Sequence, residues 1–155
     1  MLFAFALLPY ALAGQQQNAS PAIPKVVFVC EHGAAKSVIA AKELEKLARE
    51  RGIQVQAVAR GTTPDPEVAS SVRQGLKAEG IDIGNMTPVQ VKAADLRNAA
   101  AIVSFGPDLK AIGGDEVTAE DWSATPAAGA NYEAAREYIV KRVTALLDRL
   151  AAQKH

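Results

Sequence analysis

A single cysteine, Cys30, ends the apolar run "KVVFVC" and opens the octapeptide "CEHGAAKS", residues 30–37. Thiol chemistry needs a partner for negative charge, a cation, and a hydroxyl or proton carrier close by. This octapeptide offers each of them. Gly33, Ala34 and Ala35 let the backbone bend tightly, so that the amides from Glu31 onward can turn inward. Lys36 brings a cation, and Ser37 brings a hydroxyl that either caps the following helix or contacts the sulfur. His32 adds a proton carrier. Inward amides at the start of a helix make an anion site, and the same field stabilises a thiolate. A thiolate under such a cradle can attack phosphorus or arsenic. The plainer alternative is a small hydrophobe packed at a strand end. The corner between strand, loop and helix favours the reactive reading. A lysine in a first helical turn also opposes the helix dipole and asks for an anion beside it.

The flanking elements set where these groups point. Residues 25–30 form a continuous apolar run, as in a strand buried on both faces. The next stretch, "SVIAAKELEKLARERG", has helical spacing. Val38, Ala41, Leu44, Leu47 and Ala48 share one face, Glu43 and Lys46 fall on the other, and Gly52 marks the end. "IQVQAVA" (53–59) alternates as a second strand. "TTPDPE" predicts a helix start, with Asp65 as cap and Pro66 in the first turn, followed by a short helix through Val68, Val72 and Leu76. "TPVQVKAADL" predicts another short helix opened by Thr87 and Pro88. "AAIVSF" (100–105) is a third strand and "EVTAEDW" (116–122) a fourth. From Asn131 to about Ala152 an amphipathic stripe predicts a long last helix. Strands alternating with helices predict an α/β fold of three layers: a parallel sheet with helices on both faces and a ligand site at the carboxyl ends of its strands.

Composition narrows the partners. With 155 residues the chain holds one domain. Its 17 basic and 17 acidic residues balance, which gives no support for a nucleic-acid or polybasic membrane partner. One cysteine excludes an intramolecular disulfide, and with only two histidines it leaves no usual zinc ligand set, so neither metal nor cofactor is expected. Residues 1–13, "MLFAFALLPYALA", read as a signal peptide ending in a small-x-small site, and 14–24 as a polar linker before a domain over 25–153. Thirteen apolar residues are too few to span a membrane, so export to the periplasm or medium is the expectation.

Cysteine, five residues, a cation and serine between the first strand and first helix resembles the phosphate loop of the low-molecular-weight protein tyrosine phosphatases. It is similar also to that of their relatives, the thioredoxin-coupled arsenate reductases. "ARGTTPDPEVASSVRQGLKAEGIDIGNMTPVQV" (59–91), "AAIVSF" and "EDWSATPAAG" resemble successive stretches of the family, and the likeness covers nearly all of 25–152. It implies a four-stranded parallel sheet. It also implies a phosphatase in which Cys30 is the nucleophile and forms a thiophosphate. Glu31, His32, Gly33, Ala34 and Ala35 would line the substrate oxygens, Lys36 would neutralise charge and Ser37 would support the thiolate. The implied partners are phosphate or arsenate oxyanions and phosphorylated substrates.

Three departures stand against the likeness. The family's loop arginine is Lys36, which offers a point charge in place of a planar fork. The family's acid, the Asp of Asp-Pro, aligns with Thr125 before Pro126. The resolving cysteines of the arsenate reductases are absent, so arsenate chemistry would need an external thiol. Substitutes are available in the chain. Arg60, in "ARGT" where the family has alanine, is expected to reach the anion pocket. Asp121, with Glu120 and Asp108 behind it, is the expected replacement acid. The alternative is an oxyanion-binding protein that keeps the cradle and has lost turnover.

Overall fold

The structure is a computed structural model that describes Ser20 and residues 22–153. The signal-peptide and cleavage readings for 1–13, and most of the linker, lie outside the described residues. Among the described residues no helix is long and apolar enough to cross a membrane.

The apolar run becomes strand β1 (Lys25–Cys30), and the helical pattern becomes α1 (Lys36–Glu50). Gly52, just past the end of α1, takes φ +66°, a left-handed conformation that suits a helix terminus and favours glycine. There follow β2 (Gln56–Gly61), α2 (Ser70–Ala78), α3 (Ala93–Leu96), β3 (Ala101–Ser104), α4 (Lys110–Gly113), β4 (Glu120–Asp121) and α5 (Tyr132–Ala152). The four strands form one parallel sheet in the order β2-β1-β3-β4. The expected α/β architecture is thus the observed one.

Alternation along β1 sorts the core. Val26, Phe28 and Cys30 face the side covered by α1, α2 and α5, where Val38, Leu44, Leu76, Ile139 and Leu146 complete the larger cluster. Val27 and Val29 face the other side, against Val91, Leu96, Ile102 and Leu109. Trp122 is fully buried against Phe28 and Phe105, with ring centroids 5.8 Å away in both cases, so it is a packing residue.

Four local expectations change. Asp65 does not cap α2, which starts at Ser70 behind Ala69, because 62–69 runs alongside the Cys30 loop and bonds to it. The helix expected from Thr87 does not form. Gly61 instead accepts from the Val91 amide and donates to the Val89 carbonyl, which holds this stretch extended, and only 93–96 turns helical. β4 is two residues long, since β3 offers partners only at Val103 and Ser104. Glu43, expected on a solvated face of α1, is 5% exposed, because α5 packs over that face and Arg136 reaches it.

Candidate active site

The carboxyl end of β1 brings Cys30 to the edge of the sheet, 8% exposed. The chain then crosses over the end of β2 before entering α1. The crossing is a backbone-on-backbone contact between two glycines. Gly33 sits at φ +59°, and a methyl group there would come within 2.9 Å of the Gly61 nitrogen. A methyl on Gly61 would lie 2.6 Å from the Gly33 nitrogen and 2.8 Å from the His32 carbonyl carbon. Gly61→Ala is therefore expected to displace the loop, at about 1–3 kcal/mol of stability from overpacking. Thermal melts with and without phosphate check this: a variant that keeps both its melting temperature and its phosphate shift contradicts the contact.

Beyond the glycines the loop is stitched to the 62–69 segment. The carbonyls of Cys30, Glu31, His32 and Ala34 accept from the amides of Thr62, Thr63, Asp65 and Ala69 at 2.8–3.2 Å. This fixes the direction of the peptide planes. With these carbonyls drawn outward, the amides that follow them, those of Glu31, His32, Gly33 and Ala35, point the other way. Among the described residues none of these amides has a protein acceptor. Successive amides without a protein acceptor, ahead of a fifteen-residue helix, are the arrangement in which backbone can hold an anion.

Two side chains complete it. Ser37 Oγ lies 3.1 Å from Cys30 Sγ, and both residues are buried. Ser37 is the second residue of α1 and does not cap it, so of its two expected uses the structure shows the contact with sulfur. Lys36, half-buried in the first turn, makes no ion pair or side-chain hydrogen bond among the described residues. His32 and Glu31 stand exposed at the rim. His32 Nδ1 lies 3.3 Å from Asp65 Oδ1, a partner that the sequence reading did not identify.

Arg60 is not part of this group, contrary to expectation. Parallel pairing sets Gly61 beside Cys30 and Arg60 beside Val29, so the Arg60 side chain leaves the sheet on the opposite face. There its guanidinium binds Asp95 Oδ1 at 3.0 Å and donates to the Ala59 carbonyl at 2.9 Å. The guanidinium lowers the pKa of Asp95 against the opposing effect of desolvation.

Asp121 is also elsewhere, and by the same parity. It pairs with Ser104, which pairs with Val29. It lines a cavity of about 270 Å³ with Ser104, Asp108, Lys110 and Ser123, and no residue of the 30–37 loop reaches that cavity. Its carboxylate accepts from the Ser123 amide at 2.8 Å, and the hydrogen bonds from Ser123 lower its pKa. Asp108 is taken up by the Lys110 amide, and Glu120 by the Trp122 indole at 3.2 Å. Thr125, where the family's acid would stand, is buried, and its hydroxyl donates to the Trp122 carbonyl at 2.7 Å. It is a turn residue.

The molecule has the fold of the low-molecular-weight protein tyrosine phosphatases, a fold shared with thioredoxin-dependent arsenate reductases. The YfkJ protein of Bacillus subtilis superimposes with a TM-score of 0.78 at 19% identity, covering 88% of this chain and 100% of that one. A low-molecular-weight protein tyrosine phosphatase from T. tengcongensis gives 0.65 at 20% identity, over 81% of this chain and 99% of the other. A thioredoxin-dependent arsenate reductase of Corynebacterium glutamicum gives 0.68 at 21%, over 87% of this chain and 65% of the other. A curated relative, a putative arsenate reductase of Halobacterium salinarum, is 26% identical over 129 residues, 80% of this chain and 91% of its own length. Residues 25–67, from β1 into the stitched segment, also match the family of PTS system lactose/cellobiose-specific IIB subunits.

Proposed function

We propose that the protein is a cysteine-dependent phosphomonoester hydrolase. The observation that carries this reading is the pairing of Cys30 Sγ with Ser37 Oγ at 3.1 Å, beside a run of amides without protein acceptors. In this reading the thiolate attacks phosphorus, the phosphorus–oxygen ester bond breaks, and a thiophosphate forms on Cys30. Water then cleaves the sulfur–phosphorus bond and releases phosphate. Loop amides from Glu31 to Ser37 hold the equatorial oxygens and the Lys36 ammonium offsets their charge, a preorganised stabilisation of the kind that dominates such reactions. The match to phosphatases of the same fold supports this reading.

The test is hydrolysis of p-nitrophenyl phosphate by the purified chain and by Cys30→Ser. Turnover that falls by at least about 10³-fold in the variant is expected of a lost nucleophile. Phosphate binding without turnover in the wild type would replace the hydrolase with an oxyanion binder. The relative named as an arsenate reductase favours a second reading, reduction of arsenate on Cys30 with an external thiol as reductant. Arsenite release that depends on both Cys30 and an added thiol would establish it.

A further inference from the structure

Resting on the phosphatase reading, we propose that His32, oriented by Asp65, is the acid that protonates the leaving group. The position that would supply an acid holds Thr125, whose hydroxyl is spent on the Trp122 carbonyl. Asp121 and Asp108 line a cavity that the Cys30 loop does not enter. Glu120 is bound to the Trp122 indole, and Arg60 and Asp95 bind each other on the far face of the sheet. In the proposed reading Lys36 offsets the charge of the phosphoryl oxygens. On the loop itself the remaining proton carriers are His32 and Glu31.

His32 is held for the task. Its carbonyl accepts from the Asp65 amide at 3.0 Å, and its Nδ1 lies 3.3 Å from the Asp65 carboxylate. One residue thus bonds the backbone of the other and sets a carboxylate beside its ring. Nδ1 is the ring nitrogen 3.3 Å from the Asp65 carboxylate, which leaves Nε2 to exchange the proton in this proposal. Nε2 lies 3.8 Å from Glu31 Oε2, beyond hydrogen-bond range, so its proton is not committed. The imidazole is 54% exposed and two residues along the chain from Cys30, so in this proposal it meets the ester oxygen on the solvent side of the loop.

The step balances. Cys30 sulfur bonds to phosphorus, the ester oxygen leaves with its electron pair, and the imidazolium Nε2–H protonates that oxygen. The neutral imidazole then takes a proton from the attacking water as the sulfur–phosphorus bond breaks. Asp65 is a positioning residue that touches neither the ester nor the sulfur.

Leaving-group dependence tests this. kcat/KM reports the steps up to thiophosphate formation, and a general acid matters most when the leaving oxygen is basic. For His32→Ala, kcat/KM for phenyl phosphate is expected to fall about 10²-fold, and for p-nitrophenyl phosphate less than about 5-fold. Asp65→Asn is expected to show the same divergence at about 10-fold. Added imidazole is expected to restore phenyl phosphate turnover to His32→Ala and not to Asp65→Asn. Equal losses on the two esters, or no loss on either, would overturn the assignment while leaving Cys30 chemistry in place. Wild-type turnover that survives Cys30→Ser would overturn both.

Discussion

Lys36→Arg is expected to raise kcat/KM for p-nitrophenyl phosphate by about 10–100-fold, the equivalent of one added hydrogen bond to a charged group. A phosphoryl group in flight spreads charge over three equatorial oxygens. In the proposed reading the loop amides would meet them along fixed directions, because the carbonyls behind those amides are bound to the 62–69 segment. A guanidinium would add two parallel donors in one plane, whereas an ammonium adds charge without that plane. The position suits the exchange. Lys36 starts α1, is half-buried, and has no carboxylate partner among the described residues that arginine would have to break. Steady-state kinetics of the two proteins, with Lys36→Met as a charge-free control, decide the matter. If arginine is no better than lysine, the fork is not what limits this loop. If methionine equals lysine, the ammonium does not face the anion at all.

Glu43→Gln is expected to stabilise the protein above neutral pH and to leave it unchanged below pH 4.5. Burial is the chief reason that the Glu43 pKa rises from 4.5 to about 7, and the hydrogen bond and charge of Glu79 push the same way. Arg136 opposes them. Its Nε stands 3.0 Å from Glu43 Oε1 and 2.6 Å from Glu79 Oε1, so one cation serves two carboxylates. Glu79 holds the better share, since hydrogen bonds from Arg136 and Tyr132 outweigh its desolvation and lower its pKa. A carboxyl whose pKa is higher in the folded chain than in the unfolded one binds more protons when folded. Its contribution is complete below pH 4.5 and is lost as pH rises through about 7. The loss is on the order of 3 kcal/mol, or roughly 6–12 °C in Tm for a domain of this size. Glu79 has the opposite sign, and its contribution fades only below pH 4.5, outside this window. Melting curves from pH 4.5 to 8 should show the wild type falling and Glu43→Gln nearly level. Parallel profiles would show that Glu43 ionises as an ordinary surface carboxylate.

The sequence carried the elements that stand on their own pattern. β1, α1 and α5 were legible because each has an unbroken period, and Asn131, placed at the start of α5, accepts from the Ala134 amide as its cap. The contact of Ser37 with the Cys30 sulfur was legible for the same reason, since cysteine and serine flank one short loop before the helix. What sequence order could not carry was parity across strands. Arg60 was expected in the pocket because it precedes Gly61, but one residue along a strand is one face of the sheet. Asp121 was expected there because it lies near Thr125 in the chain, yet its register beside Ser104 sends it to the far side. The helix signals at Asp65 and Thr87 were real as local chemistry. They lost to partners distant in the chain, the Cys30 loop in one case and Gly61 in the other. Glu43 was misplaced because the α1 face that looked free is covered by α5, and only Arg136, 93 residues on, signals it.

The seam between the Cys30 loop and the 62–69 segment has a thermodynamic consequence. In the proposed reading the anion cradle needs two stretches some 30 residues apart in the chain to be joined, so the unfolded chain would lack the site. Binding would then be linked to folding through RT ln(1 + [L]/Kd), about 2.7 kcal/mol at a hundredfold excess over Kd. Phosphate or arsenate would act as a folding ligand of this domain, and its melting temperature would register how much free oxyanion surrounds it, whether or not any bond is broken.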